Sequence, residues 1–273
     1  MADFSVCMSV YRNDRPLDFV TAVHSIVRQT APPDEIIIVV DGPVPGSIDD
    51  ALYTLSIEFD RIKIIRLKEN MGHAIARQTG LDAASNNLCA VMDSDDISVP
   101  DRFEKQLRAF DEHPDVSVVG GLINEFVGSP DHVVGTRMVP ENDAEIKKYL
   151  KARCPVNLVT VMLKRDDIQA AGGYQDWYCE EDYYLWVRLA MRNYQFYNIQ
   201  ENLVNVRVGD GMYRRRGGWK YFKSEAALQK YMWTNGMISL PRLAFNIFGR
   251  WVVQVLMPNK IRGFIFQKLF RKS

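Results

Sequence analysis

The stretch "AVMDSDDISVPDRFEKQ", Ala90 to Gln106, joins an apolar run to a helix-like segment through a cluster of acids. The run before Asp93 is short and apolar, which predicts a buried strand. Pro100 followed by Asp101 is typical of the first turn of a helix. The acids in between therefore fall where a strand ends. Acids crowded at such a place repel one another, and they persist more readily if a cation or a substrate uses them.

The same order of an apolar strand followed by a helix repeats along the first 120 residues. This alternation predicts an α/β fold with a Rossmann-like, mostly parallel sheet flanked by helices. In such sheets, ligands bind at the carboxyl ends of the strands. The predicted strands are 4–11, 35–40, 62–67, 88–92 and 116–119, and the predicted helices are 17–29, 48–59, 73–84 and 100–113.

The second half of the chain, from about Gly121, is less regular. Its sequence "VGSPDHVVG" is typical of a hairpin or a loop. We expect this half to close over the first. The predicted elements are helices over 143–152 and 181–192 and strands over 156–163 and 203–207.

The last part of the chain has helical character from Trp219 onward, with breaks expected at Pro241 and Pro258. It combines aromatic and aliphatic residues with basic ones. We therefore divide the chain into an α/β domain over 1–218 and a helical, amphipathic C-terminal extension over 219–273.

The overall composition is that of a globular protein, with 47% hydrophobic and 25% charged residues. The formal net charge is zero, but no acid follows Glu225, whereas eight of the 34 Lys and Arg residues do. A basic tail on an acidic body predicts an anionic partner, either a membrane surface or nucleic acid. We expect no nucleic acid, because the basic residues are mixed with an apolar helix face and do not line a polar one.

The cysteines and histidines exclude two other classes of protein. Cys7 and Cys89 lie inside strand-like runs, which predicts buried thiols and no disulfide framework. The four histidines form no H-x-x-x-H pattern and the cysteines no C-x-x-C pattern, so zinc is not expected. The N-terminus lacks the pattern of a secretory signal, and no stretch approaches the ~20 apolar residues of a membrane span.

The acid cluster itself has two interpretations. Mg²⁺ and Mn²⁺ prefer oxygen ligands and are usually held by one or two carboxylates together with substrate phosphates. An Asp-x-Asp pair at a strand end, here Asp93 and Asp95, suits such a cation beside a diphosphate. The alternative is a cap for the following helix. Asp96 fits that alternative, but capping requires neither of the other two, so a metal site is favoured.

Two further motifs lie at predicted strand ends or helix starts. Asp41 follows "IIIVV" and suits a nucleobase or ribose, or equally a turn before Gly42. The segment "ENMGHAIARQTGL" supplies Asn70, Gly72 and Arg77 around a helix start, where amide groups and an arginine suit phosphate oxygens. On its own this second signal is weak, because the arginine is equally typical of a solvated helix face.

A third motif, "YCEEDYYLWVRLAM", places Glu180, Glu181 and Asp182 before a strongly apolar helix. Acids at a helix start are common because they complement the helix dipole, and alone this explanation is favoured. The surrounding aromatic residues, among them Trp177, are also typical of a sugar site that contains a general base.

Two basic segments complete the set. The loop "RRRGG" contributes Arg214, Arg215 and Arg216, either as a phosphate clamp or as an exposed charge run. The tail "RLAFNIFGRWVVQVLMPNKIRGFIFQKLFRKS" is too charged for a membrane span and fits a helix at the surface of an anionic membrane. The alternative for the tail is packing on the core or on a partner.

In this order, the motifs resemble those of the family 2 glycosyltransferases. The residues that carry the resemblance are "SVCMSVYRND", "IIIVVDG", "ENMGHAIARQTGL", "DSDD" with "VPDRFEKQ", and "EEDYYLWVRL", which together extend over roughly residues 4 to 210. The resemblance implies a GT-A fold, a divalent metal (Mn²⁺ or Mg²⁺) and inversion at the transferred sugar. Within the family, the chain is similar to bacterial enzymes that assemble capsule, exopolysaccharide or O-antigen repeat units on a lipid carrier.

The resemblance also implies roles for individual residues. Asp95 would bind the metal and Asp182 would be the base that deprotonates the acceptor. Acceptor or phosphate contacts are implied for Glu181, Trp177, Arg214, Arg215 and Arg216. The donor would be a nucleotide sugar, UDP-linked, held by Val10, Tyr11, Asp41, Asn70, Gly72, Arg77, Asp93 and Ser94.

The implied acceptor is a lipid-linked saccharide, and the implied location is the cytoplasmic face of the cell membrane. Two other functions remain open from the residues. A sugar-phosphate nucleotidyltransferase would usually carry a Gly-rich loop after the first strand, where this chain reads "YRNDRPLDF". A non-catalytic nucleotide-binding membrane adaptor is disfavoured by the intact acids.

Overall fold

One sheet organises the part of the chain that the computed structural model describes, residues 3–209 and 217–257. Its first four strands are the apolar runs predicted from the sequence, and each is followed by a longer loop or a helix. The strands are β1 (Phe4–Val10), β2 (Glu35–Val40), β3 (Ile62–Arg66), β4 (Leu88–Met92), β5 (Ile97–Ser98), β6 (Val116–Phe126), β7 (Val133–Arg137), β8 (Met162–Lys164) and β9 (Gln195–Arg207).

The strands lie side by side in the order β3-β2-β1-β4-β8-β6-β9-β5, and β7 pairs with β6. The pairs among β1 to β4 are parallel, as is the pair of β6 with β9, while β5, β7 and β8 pair in antiparallel fashion. The helices are α1 (Pro16–Val27), α2 (Gly46–Glu58), α3 (His73–Ala83), α4 (Arg102–Glu112), α5 (Asp143–Leu150), α6 (Arg165–Ala170), α7 (Glu181–Met191), α8 (Trp219–Thr234) and α9 (Leu240–Trp251).

Helices cover both faces of the sheet, which explains why the central strands are unbroken apolar runs. Val6 and Met8 of β1 face a core shared with α1, α2 and α4, and the intervening Cys7 faces a second core shared with α3, α5 and α7. This arrangement is the predicted α/β fold with flanking helices. None of the four cysteines is in a disulfide. Cys7 and Cys89 are buried, as the strand-like runs around them predicted.

The order of the strands reverses beside β1. The chain passes from β1 to β2 and β3 on one side and then returns to form β4 on the other. The pairing of Val10 with Val40 and of Met8 with Met92 brings the ends of the three strands to one edge. The crevice at such a reversal is where open α/β sheets bind ligands. A ligand-binding site is therefore expected in this crevice.

Three elements differ from the prediction. The predicted strand over 156–163 is a single 3-10 turn, Leu158–Thr160, followed by the short β8. The reason is local, because the Thr160 hydroxyl donates to the Asn157 carbonyl (2.7 Å) and the Asn157 side chain donates to the Gly121 carbonyl (2.8 Å). In addition, β6 and β9 are longer than predicted. The predicted hairpin is present as the turn between β6 and β7.

The C-terminal helices pack against the rest of the structure. Leu228 and Met232 of α8 are fully buried in the second core. Pro241 does not break a helix but occupies the first turn of α9, whose N-cap Ser239 accepts from the Arg242 amide. A π-helical turn, Val252–Leu256, continues α9. In residues 3–209 and 217–257, no helix is both long and apolar enough to cross a membrane. The division of the chain at residue 218 stays a prediction, as does everything placed on residues 258–273.

Candidate active site

The crevice between the ends of β1, β2 and β4 contains most of the residues implied in donor binding. Val10 closes β1 and is buried, and its carbonyl accepts the Asp41 amide at 2.8 Å. The ring of Tyr11 lies edge-on to His73 at 6.3 Å. The β1–β4 pairing places Asp93 and Ser94 beside the end of β1. The first strand, the second strand and the acid cluster thus form one edge.

Asp41 is fixed by the loop that precedes α3. Its carboxylate accepts the amide N–H groups of Met71 (2.7 Å) and Gly72 (3.0 Å) and the side-chain amide of Asn70 (2.9 Å). A carboxylate has about four acceptor positions, so one is left for a ligand. Gly42 must be glycine here, because its φ is 83° and a Cβ would lie 2.5 Å from the Asn70 nitrogen.

The acid cluster is larger in the structure than in the sequence motif. Ser94 donates to Asp14 at 2.8 Å, which brings a carboxylate from the loop after β1 into the group. Asp96 is buried and accepts the Arg207 amide of β9 at 2.8 Å. It therefore does not cap α4, whose N-cap is Asp101. The loop from Asp93 to Asp96 is held from both sides and presents Asp95 outward.

The electrostatics of this cluster favour a bound cation. Partial burial, and then the charges of Asp93 and Asp14, raise the pKa of Asp95 to about 6. Burial also raises the pKa of Asp96 and Asp14. No side-chain donor of the described residues bonds to the Asp95 carboxylate. Mutual repulsion among acids at an accessible edge is relieved by a divalent cation.

Within the described ranges, no three His, Cys, Asp or Glu side chains converge closely enough to enclose a metal by themselves. Mg²⁺ and Mn²⁺ typically take one or two carboxylates and complete their coordination with phosphates and water. Asp95, with Asp93 beside it, is such a partial set. The residues therefore suit a cation that binds together with a diphosphate.

Arg77 connects the acid cluster to the distant acid motif. From α3, its Nη2 donates to Asp93 Oδ1 at 3.1 Å and its Nη1 donates to Glu181 Oε1 at 2.8 Å. Its side chain is only 10% exposed. Burial opposes its charge, but the two carboxylates outweigh burial and raise the pKa of Arg77 above its usual value. One guanidinium therefore holds together two acids that are far apart in the sequence.

The three acids at the start of α7 point in three directions. Glu181 reaches Arg77, as described. Asp182 Oδ1 accepts the Tyr183 amide at 2.7 Å, and Asp182 Oδ2 lies 3.8 Å from the Cys154 sulfur. Glu180 is buried, and burial followed by the charge of Glu225 raises its pKa. Successive helical residues turn by about 100°, so this divergence is expected.

Asp182 faces a cavity of about 370 Å³ between α7, the segment 152–154 and the C-terminal helices. Such a volume is at the lower end of small-molecule sites. Burial, and then the charge of Glu181, raise the pKa of Asp182. A carboxylate with a raised pKa is suited to accept a proton near neutral pH. The walls of the cavity opposite Asp182 include Tyr221, Phe245, Asn246, Gly249 and Arg250.

The other implied contacts have different outcomes. The indole of Trp177 donates to the Ser224 carbonyl of α8 at 3.1 Å and packs on Tyr184 at 4.5 Å, so its exposed surface is limited. Arg214, Arg215 and Arg216 lie outside the described residues. The structure therefore brings together Val10, Tyr11, Asp41, Asn70, Gly72, Arg77, Asp93, Ser94 and Asp95, with Glu181 linked through Arg77 and Asp182 next to it.

Sequence reasoning missed three contributors. Asp14 is part of the quoted "YRND", but nothing in the sequence marked it as a site residue. Arg207 comes from β9, and its guanidinium pairs with Asp18 at 3.1 Å. Arg102 is fully buried beneath the acid cluster, where it donates to the carbonyl oxygens of Val91 (2.8 Å) and Val161 (3.3 Å). Burial lowers the pKa of Arg102 to about 9, although Asp93 and Asp96 oppose that shift.

The family can now be decided by comparison with known proteins. Residues 5–167 match the model of "Glycosyl transferase family 2", and residues 88–270 match that of "Glycosyl transferase family group 2". The chain belongs to glycosyl transferase family 2. The first match contains β1 to β4, Asp41 and the acid cluster, and the second contains the start of α7. The resemblance stated from the sequence is therefore confirmed.

Relatives align over almost the whole chain. A UDP-Gal:alpha-D-GlcNAc-diphosphoundecaprenol beta-1,3-galactosyltransferase of Escherichia coli is 35% identical over 269 residues, which covers 98% of this chain and 97% of the relative. The amylovoran biosynthesis glycosyltransferase AmsE of Erwinia amylovora is 32% identical over 265 residues, which covers 97% and 98%. Both are glycosyltransferases of nearly the same length as this chain.

The fold is also found among solved structures. The mannosyltransferase PcManGT from Pyrobaculum calidifontis, in complex with GDP-Man and Mn²⁺, matches with a TM-score of 0.63 and 14% identity. The match covers 96% of this chain and 74% of that one. At this level of identity the likeness concerns the fold alone. The predicted GT-A fold is therefore confirmed.

Proposed function

We propose that the protein is an inverting glycosyltransferase that moves a hexose from a UDP-linked donor to a lipid-linked saccharide in the synthesis of a bacterial surface polysaccharide. The observation that carries the proposal is the double contact of Arg77 with Asp93 and Glu181. It joins the acids at the strand end to the acids at the start of α7. A donor site and a base are thus within one continuous region.

The donor is assigned to the crevice beside β1. Asp41 retains one acceptor position for a nucleobase N–H, and Tyr11 borders the same edge. Asp93 and Ser94 are assigned to the ribose and diphosphate side. UDP is preferred because the E. coli relative has UDP-Gal in its name.

Asp95, with help from Asp93, would hold the divalent cation. When bound, a divalent cation neutralises charge on a departing nucleoside diphosphate. The mannosyltransferase with the same fold was solved with Mn²⁺. Arg77 keeps Asp93 oriented, since its other arm is anchored on Glu181.

Asp182 is assigned as the base. Its half-buried carboxylate lines a cavity of a size that admits a sugar, and its raised pKa suits proton transfer. The acceptor hydroxyl gives its proton to Asp182 while its oxygen attacks the anomeric carbon from the face opposite the leaving group. A single displacement inverts the configuration and needs one carboxylate base, unlike the two-carboxylate mechanism of retaining glycosidases.

The acceptor is assigned to the lipid-linked class because the E. coli relative is named for a diphosphoundecaprenol-linked substrate. We accordingly place the protein on the inner face of the cell membrane, as a peripheral protein on an anionic surface. The absence of any acid after Glu225 supports this location.

The experiment is a screen of nucleotide sugars for release of nucleoside diphosphate, with a short-chain lipid-linked GlcNAc-diphosphate as acceptor. We expect turnover of a UDP-hexose with Mn²⁺ and none after chelation. A matched pair of variants sharpens the test. Asp95→Asn should abolish turnover, whereas Asp101→Asn, at the N-cap of α4 and paired with Lys105 at 2.9 Å, should retain it. Turnover that is unaffected by chelation would contradict the metal assignment.

A further inference from the structure

Helix α9 turns two polar side chains, Asn246 and Arg250, towards the protein and exposes several of its large apolar residues. Asn246 is buried and donates to the Lys151 carbonyl (2.9 Å) and to Gln229 (2.7 Å). Arg250 donates to the Ala152 carbonyl at 2.6 Å and pairs with Glu225 at 3.1 Å. The side chains of Asn246 and Arg250 are therefore already bonded within the chain.

The opposite side of α9 and of the π-helical turn is apolar and exposed. Leu240 is 58% exposed, Phe245 71%, Phe248 64% and Leu256 56%. We call these four residues the outer face. A helix at a water-facing surface normally has the reverse orientation, with polar residues outward. Several large apolar residues exposed on one helix mark a site of interaction.

Helices α8 and α9 together carry a positive net charge. Exposed basic residues of the same two helices are Lys220, Lys223, Lys230 and Arg242. The one acid in the two helices, Glu225, is already paired with Arg250. Beyond Met257, the sequence adds five more basic residues and no acid.

We propose that the outer face inserts into the headgroup region of an anionic lipid bilayer, with α9 lying in the plane of the membrane. Apolar side chains enter the boundary of the acyl chains while Arg242 and the exposed lysines of α8 meet anionic headgroups. A second copy of the chain fits less well, because a two-fold contact sets a patch against itself and would bring like charges together. This proposal rests on the function proposed above. It names the surface by which the protein would reach its lipid-linked acceptor.

The outer face adjoins the cavity that contains Asp182. Phe245 belongs to the outer face and also lines the cavity that contains Asp182, as does the neighbouring Gly249. The rim of the cavity is therefore part of the membrane-facing helix. A saccharide carried on a lipid could reach Asp182 from the bilayer surface while its lipid chain stays in the membrane.

The test is co-sedimentation of the full chain with vesicles, without donor or acceptor. One set of vesicles contains phosphatidylglycerol in phosphatidylcholine and the other contains phosphatidylcholine alone. The variant carries Leu240→Ser and Phe248→Ser, which leave the cavity of Asp182 intact. The control carries Tyr53→Ser and Ile57→Ser, two similarly exposed residues of α2 (69% and 67%).

We expect the wild type and the control to bind anionic vesicles, and the Leu240/Phe248 variant to bind about tenfold less or weaker still, because two apolar side chains no longer enter the bilayer. Thermal melting of each protein checks that it is folded. A second measurement needs only the wild type: bromine-labelled lipids should quench the fluorescence of tryptophans near the face, Trp219 and Trp251.

Unchanged vesicle binding by the Leu240/Phe248 variant would overturn the proposal, as would the absence of quenching in the wild type. A wild-type dimer that the same variant converts to a monomer would assign the face to a second copy. Because sugar transfer is measured separately, loss of transfer with intact vesicle binding would count against the proposed function alone.

Discussion

The acid-rich segments 93–96 and 180–182 look alike in sequence but are used differently in the structure. In the first, the acids lie in one loop at a sheet edge, and Asp93 remains 39% exposed as a side chain. In the second, the acids begin a helix and separate: Glu181 turns to Arg77 and Asp182 to the cavity. The first segment concentrates charge on one accessible place, and the second distributes it.

The difference shows that backbone geometry decides whether neighbouring carboxylates converge or diverge. A loop at the end of a parallel strand can converge several carboxylates, which repel until a cation arrives. A helix start cannot, because neighbouring side chains diverge by about 100°. Clustered charge suits a diphosphate with its metal, whereas a single isolated carboxylate with a raised pKa suits proton transfer.

The largest expected effect comes from the isolated acid. Asp182→Asn removes the proposed proton acceptor, and general-base catalysis is worth roughly 10²–10⁴-fold, so transfer should fall by that factor while donor affinity is retained. The wild-type rate should decline as the pH falls through the pKa of Asp182, which burial raises above the usual aspartate value. Initial rates across pH measure both effects. A near-normal transfer rate in the variant would move the base elsewhere.

A smaller effect is expected at the residue that links the two segments. Glu181→Gln replaces a carboxylate that bonds to Arg77, and loss of a charged hydrogen bond corresponds to about tenfold. Since Arg77 also holds Asp93, the loss should appear in donor affinity more than in the transfer rate at saturation. Rates over a range of donor concentrations separate the two.

The control for that variant is Asp176→Asn, an exposed acid shortly before α7, which should behave as the wild type. If Glu181→Gln instead lost transfer as severely as Asp182→Asn and kept its donor affinity, Glu181 would be the base and the roles of the two neighbours would exchange.

The smallest expected effect concerns stability. Asp95→Asn removes one of several repelling carboxylates, which should stabilise the metal-free protein by less than about 1 kcal/mol, because solvent screens an exposed residue. For a chain of this size that corresponds to a rise in Tm of about 2–4 °C at most. Thermal melting at pH 7.5 in chelator measures it, and a clear fall in Tm would show that the carboxylate is structurally required. Mn²⁺ with UDP should raise the Tm of the wild type only.

The sequence could predict the sheet and its edge because β1 to β4 are buried on both faces and give unbroken apolar runs. Acids and small residues directly after such runs must lie at the edge where parallel strands end. Asp41, Asp93 and Asp95 could therefore be placed together without coordinates. The residues matched by the two family models, 5–167 and 88–270, include the same motifs.

The sequence could not predict which way the acids at 180–182 point, because three adjacent acids carry no information about their partners. The partners come from distant segments: Arg77 of α3 contacts Glu181, and Cys154 of the loop after α5 lies beside Asp182. The orientation of α9 could not be predicted from the sequence for a similar reason. Its polar residues look like a water-facing side until Lys151 and Ala152 are seen to accept their hydrogen bonds.

The most direct test of the account is calorimetry of UDP-galactose binding, with and without Mn²⁺, to the wild type, Asp95→Asn and Asp182→Asn. In the proposed function, the donor and its cation bind at the strand edge and the base lies apart from them. We therefore expect that Asp182→Asn binds the donor as the wild type does, and that Asp95→Asn loses the Mn²⁺-dependent part of the affinity. Full Mn²⁺ dependence in Asp95→Asn, or its loss in Asp182→Asn, would contradict that division.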